Sequence, residues 1–126
     1  MHKSSSDGIY ELISPKDPLP LVFDSPHSGT DYPQNFHYCC SRPILERAED
    51  KYVDDLFSAA PHHGAYLLSA LFPRSYIDVN RAADDIDPEL YDGDWPYEAH
   101  LPANPSNRSY AGIGLIRRLV RPGEPV

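Results

Sequence analysis

"LVFDSPHSG", residues 21–29, decides how the chain is read. Leu21, Val22 and Phe23 form a short apolar run, after which Asp24, Pro26 and His27 lead into a break at Gly29. A run of this kind, closed by Pro and Gly, reads as a buried strand. A packed core has no need of a histidine at the strand's exit, whereas a site at the end of a sheet strand does. Pro26 sets the approach and Gly29 permits a sharp turn, so the imidazole of His27 is presented at the mouth of a loop. A neutral imidazole there can bind zinc through one ring nitrogen while the other donates to a carboxylate or carbonyl. Asp24 and Asp31 lie near in sequence for either role. The competing reading is a histidine that is hydrogen-bonded for structure alone.

Working outward, residues 1–7 read as a disordered lead and residues 8–126 as one domain. "GIYELIS" (8–14) alternates weakly, as a strand does, and the Pro-rich "PKDPLP" (15–20) turns it. After the loop at 29–43, Pro43 opens a helix predicted to run to Ala60. Leu45, Tyr52, Val53, Leu56, Phe57 and Ala60 give it one apolar stripe. "PHHG" (61–64) stops it, "AYLLSALF" (65–72) reads as a buried strand and "RSYIDVN" (74–80) as another. Residues 82–108 are a long aperiodic excursion, first acidic, then rich in Pro, Asn and aromatics. "GIGLIRRLV" (112–120) is the last strand candidate. The order strand, helix, strand, strand predicts an α/β fold, a mixed β-sheet flanked by helices. Ligands of open α/β sheets bind beyond the carboxyl ends of strands, where His27, Asn80 and Arg81 would stand.

Bulk composition excludes several functions. The 126 residues carry a net charge of −8, and the one basic pair of note is Arg117-Arg118. Nucleic acid is therefore not an expected partner. No apolar run approaches the roughly 20 residues of a membrane span, and "MHKSSSDG" lacks the apolar core of a signal peptide. Cys39 and Cys40 are adjacent, which disfavours a bridge between them, so a reducing, cytoplasmic setting is expected. The 14 prolines predict much irregular structure.

Two further stretches carry chemistry. In "AEDKYVDDLF" (48–57), Asp54 and Asp55 read as a solvated helix face, whereas Glu49 falls inside the apolar stripe and Asp50 on its edge. A carboxylate on that side must be paired, protonated or coordinated, because an isolated buried charge is costly. In "PRSYIDVNR" (73–81), Arg74 and Arg81 bracket a strand and Asn80 precedes the second arginine. A guanidinium fork matches a carboxylate with two hydrogen bonds. Pairing with Asp84 and Asp85 is the plainer alternative, and spacing alone does not choose between them.

Together "SPHSG", "DKYVDDLF" and "PRSYIDVNR" resemble, in order, the motifs of the N-formylglutamate amidohydrolases, and "GIGLIRRLV" resembles that family's Gly-Leu-Gly-Thr-Ile-Pro-Arg segment more weakly. The resemblance spans residues 21–88 and, faintly, the remainder. It implies a zinc-carboxypeptidase-like fold, shared with aspartoacylase-like deacylases, and hydrolysis of an N-formyl or N-acyl amino acid. It makes His27 and Asp50 ligands of Zn2+, although the helical wheel alone favours Glu49. It makes Arg74 the residue that polarises the carbonyl, and Asn80 and Arg81 the grip on the substrate's carboxylate. Family members are longer, and their second half brings an Asp-Cys-His-Ser motif and a glutamate base that this sequence lacks. The fold is thus expected to be incomplete, an N-terminal portion whose partner is a missing C-terminal half or a second chain. His37, His62, His63 and His100 remain for a third ligand, and none matches the motif. A related deacylase or carboxypeptidase with another substrate, or a non-catalytic carboxylate-binding remnant, is the alternative.

Overall fold

A computed structural model describes residues 1–95 and 102–126. They form two compact units, Met1–Pro33 with Glu49–Arg74, and Gln34–Ala48 with Ser75–Val126.

The first unit is built on a mixed four-stranded sheet in the order β1-β2-β4-β3. Its strands are β1 (His2–Ser6), β2 (Tyr10–Ser14), β3 (Val22–Ser25) and β4 (Tyr66–Ala70). β2 pairs antiparallel with both β1 and β4, and β3 runs parallel to β4 with Val22 opposite Tyr66 and Ser25 opposite Ser69. β4 is the central strand, which explains its apolar run: Leu67 and Ala70 are buried with Ala65 just before them. Phe23 stacks on Phe57 with centroids 5.1 Å apart, fastening β3 to α2 (Val53–Leu56). Because β3 and β4 are parallel, their carboxyl ends open on the same side. Residues 26–29 and 71–74 therefore emerge together.

The expected disordered lead at 1–7 is corrected by β1. "DG" at Asp7-Gly8 is a hairpin signal: both residues have positive φ (36° and 78°), and Ile9 N–H closes on Ser6 O at 2.7 Å. The predicted helix Pro43–Ala60 is also corrected. Only α1 (Arg42–Leu45), a 3₁₀ turn at Glu46–Ala48 and α2 form, and Tyr52 between them takes the left-handed conformation, φ 66°. Four-residue helices have little stability of their own, so tertiary contacts decide where this segment breaks. Asp50 N–H leaves helical bonding to donate to His27 O at 2.9 Å.

The second unit has little regular structure. It holds α1, a 3₁₀ turn at Pro88–Leu90, α3 (Asn107–Tyr110) and the hairpin β5 (Leu119–Arg121) with β6 (Glu124–Pro125). Its core mixes Leu45, Ile86 and Val120 with fully buried Asp78, Asp87 and Ser109. Arg118 Nε meets the Asp87 carboxylate at 2.8 Å, so that buried charge is paired. No strand forms at 74–80. Asp78 N–H bonds Leu115 O, and its carboxylate accepts Asn80 N–H at 3.0 Å, an Asx turn that bends the chain out of any ladder. "GIGLIRRLV" yields one bridge, Ile113 with Arg117, followed by β5. The mixed sheet is as expected, but the described helices are few and short.

Candidate active site

Beyond the carboxyl end of β3, Ser25 and Ser28 share a buried hydroxyl contact of 2.7 Å that tightens the turn. His27 is held inside this turn, 8% exposed. Its Nδ1 lies 3.1 Å from Asp50 Oδ2, and Arg74 Nη1 lies 3.4 Å from the same oxygen. The carboxylate of Asp50 is half-exposed, while the Arg74 side chain is 13% exposed. One carboxylate oxygen thus receives an imidazole and a guanidinium from the exits of two parallel strands. Gly29 makes this approach possible. A Cβ there would collide with Phe72 O and come within 2.5 Å of the Leu71 carbonyl, and Asp31 N–H bonds Leu71 O at 2.8 Å.

Glu49 takes a different place. Its side chain is 1% exposed, accepts a short hydrogen bond from the Tyr32 hydroxyl and has Lys51 Nζ at 3.8 Å. The wheel's reading that Glu49 faces inward therefore holds, and the structure supplies the partners an interior carboxylate requires. It is Asp50 that meets His27. Asp24 and Asp31 are exposed.

The arginine and asparagine at 80–81 belong to the second unit. Arg81 is committed to its own surroundings: Nε donates to Ile113 O at 3.0 Å, Nη1 to Asn80 O at 2.9 Å, and Nη2 stands 3.5 Å from Asp78 Oδ2. Asn80 and Arg81 line a cavity of about 500 Å³ with Asp84, Asn104 and Arg108. One wall is held by Asp85, which accepts Ser106 N–H at 2.7 Å and the Ser106 and Ser109 hydroxyls at 2.8 and 2.6 Å. Burial pushes the Asp85 carboxyl up, but these three donors and the Arg81 charge outweigh it and hold it below its ordinary 3.8. Of the plainer pairings, then, Asp85 stands beside Arg81 electrostatically, and Asp78 supplies the close contact.

Sequence reasoning overlooked Asn104 and Arg108, which lie in the aperiodic stretch where no pattern marks one residue over another. His62 and His63 are exposed in the 3₁₀ turn Ala60–His63, and His37 lines a separate cavity of about 660 Å³ in the second unit. His100 lies outside the described residues.

The family model of the N-formylglutamate amidohydrolases matches residues 19–126. The chain belongs to the N-formylglutamate amidohydrolase family. This amidohydrolase-family chain is similar in structure to the crystal structure of N-formylglutamate amidohydrolase from Ralstonia eutropha JMP134. The TM-score is 0.85 at 43% identity over 94% of this chain and 41% of that one. The chain thus spans well under half the length of that relative. No curated protein matches it.

For an amidohydrolase-family member the fit of a metal at His27 and Asp50 can be tested on distance. Two ligand atoms on a tetrahedral zinc with bonds near 2.1 Å stand about 3.4 Å apart. The 3.1 Å between Nδ1 and Oδ2 is about 0.3 Å shorter than that and is also a hydrogen-bond distance. The pair fits two positions of a zinc site, and among the described residues no group of three metal-ligating side chains occurs.

Proposed function

We propose that this chain supplies the metal- and substrate-binding residues of a zinc-dependent N-formylglutamate amidohydrolase with the zinc-carboxypeptidase-like fold, which hydrolyses an N-formyl or N-acyl amino acid to a carboxylic acid and a free amino acid. The observation that carries this reading is the meeting of His27 and Asp50 at 3.1 Å in a chain whose family model matches from residue 19 onward. His27 and Asp50 would hold the zinc, which when bound would supply Lewis acidity.

Arg74 has a different task. Its guanidinium, fixed beside Asp50, hydrogen-bonds the oxygen on which negative charge grows as the amide carbonyl becomes tetrahedral. A donor held in advance by Asp50 needs little reorganisation during the reaction. Asn80 and Arg81 belong to the segment that holds the substrate's carboxylate. Anchoring that remote group restricts the amide to attack-ready orientations.

A non-catalytic, carboxylate-binding module is favoured by one observation, the lack of a three-residue metal cluster among the described residues. The two readings separate in one experiment. Calorimetric titration of the chain with Zn2+ is expected to show binding that His27→Ala and Asp50→Ala each abolish. Unchanged affinity in both variants removes the metal from the proposal. Formate release from N-formylglutamate with added zinc then marks an enzyme, and ligand binding without turnover marks the module.

A further inference from the structure

In the proposed function the carboxylate grip falls to Asn80 and Arg81, but the Arg81 fork is already engaged. Its side chain is 6% exposed, two of its nitrogens donate to main-chain carbonyls and the third faces Asp78. A carboxylate taken bidentately needs two parallel N–H groups along one edge of the guanidinium. Each edge of Arg81 has at least one nitrogen already committed. These ties fasten residues 78–81 to Ile113 and make Arg81 a structural clamp.

Arg108 lines the same cavity and differs in every respect. It is exposed, and its guanidinium forms no hydrogen bond or ion pair with any described residue. Its root is nevertheless fixed. Arg108 N–H donates to Ser106 Oγ at 3.2 Å, and Ser106 is fastened twice to Asp85. The chain is therefore held at the base of Arg108 while the fork stays uncommitted. Asn104, on the same wall, is anchored by its N–H to Asp84 O at 2.7 Å.

Resting on the proposed reading of this segment as the carboxylate site, we infer that Arg108 is the substrate-binding guanidinium, with the Asn80 and Asn104 amides beside it. Asp84 and Asp85 also line the cavity and balance the two arginines, so net positive charge does not draw the ligand in. The planar fork must do so. The ligand class is accordingly a small N-acyl amino acid carrying a carboxylate, with the acid recognised by geometry.

Calorimetric titration of the full chain with N-formylglutamate, and with its dimethyl ester as a carboxylate-free control, tests this. Arg108→Gln is expected to weaken N-formylglutamate binding about tenfold or more, the usual cost of a lost charge-assisted pair. Arg108→Lys, which keeps the charge without the fork, should fall between wild type and the glutamine variant. Both variants should melt at the wild-type temperature because the side chain is exposed and unbonded. The ester should bind neither wild type nor variant detectably. Wild-type affinity in Arg108→Gln, combined with lost affinity in Asn80→Ala, overturns the inference and returns the contact to Arg81. If wild type binds no N-formylglutamate at all, the carboxylate-site reading itself fails, and the assignment of Arg108 falls with it.

Discussion

Asp85 offers a direct test of how the second unit is held together. Its carboxylate collects three side-chain and main-chain donors from residues 106 and 109, more than twenty positions away. Replacing it with alanine removes all three charge-assisted bonds, each worth roughly 1.5–3 kcal/mol in isolation. The loss is smaller than their sum. Ser109 Oγ keeps a second acceptor in Asp85 O at 2.9 Å, and Ser106 is exposed, so water satisfies its freed groups. The expected cost of Asp85→Ala is about 3 kcal/mol, and that of Asp85→Asn, which forfeits the Ser106 hydroxyl bond and the charge, about 1–1.5 kcal/mol. With an m-value near 2 kcal/mol/M, the alanine variant should unfold in urea about 1.5 M earlier than wild type. The pH dependence has a definite sign. A carboxyl whose folded pKa lies below its ordinary 3.8 stabilises the native state fully above that value. The contribution then disappears as pH falls through the lower folded pKa. Wild type should therefore lose stability below about pH 4 more steeply than Asp85→Asn. A midpoint shift under about 0.3 M in Asp85→Ala, or parallel acid profiles for wild type and Asp85→Asn, refutes the reasoning.

Other substitutions probe the first unit. Gly29→Ala should cost about 3 kcal/mol or more, because the new methyl meets main-chain atoms of Leu71 and Phe72 that cannot step aside; a urea midpoint equal to wild type disproves the close approach. Tyr32→Phe should cost about 2 kcal/mol by leaving the interior Glu49 carboxylate short of a donor, whereas Asp50→Asn, at a half-exposed carboxylate, should cost less than about 1 kcal/mol. Urea midpoints in the reverse order would mean that the structural and functional acids have been exchanged.

β3 and β4 were legible because each is a short apolar run closed by a turn former, and β2 through its weak alternation; such local patterns need no distant partner to be recognised. The hairpin at Asp7-Gly8 was missed: the dipeptide is a hairpin signal, but the polar composition of residues 1–7 reads as a disordered lead and hides β1. The predicted helix at 43–60 failed for a physical reason. Its apolar stripe presumed one continuous helix: Glu49 does turn inward, but Tyr52, Leu56 and Phe57 of the stripe are exposed, and periodicity does not show that Asp50 N–H finds a better partner in His27 O. Four-residue helical pieces resist such competition weakly.

What the sequence determined by itself was local: the strand exit at His27, the inward turn of Glu49, and the ordered motifs that tie the chain to its family. Tertiary structure decided which of two neighbouring acids meets the histidine, that Arg81 is enclosed and that Arg108 is left uncommitted. Such choices depend on contacts 17 to 32 residues apart in the chain. Their energies arise only when folding removes water from one partner and supplies another in its place.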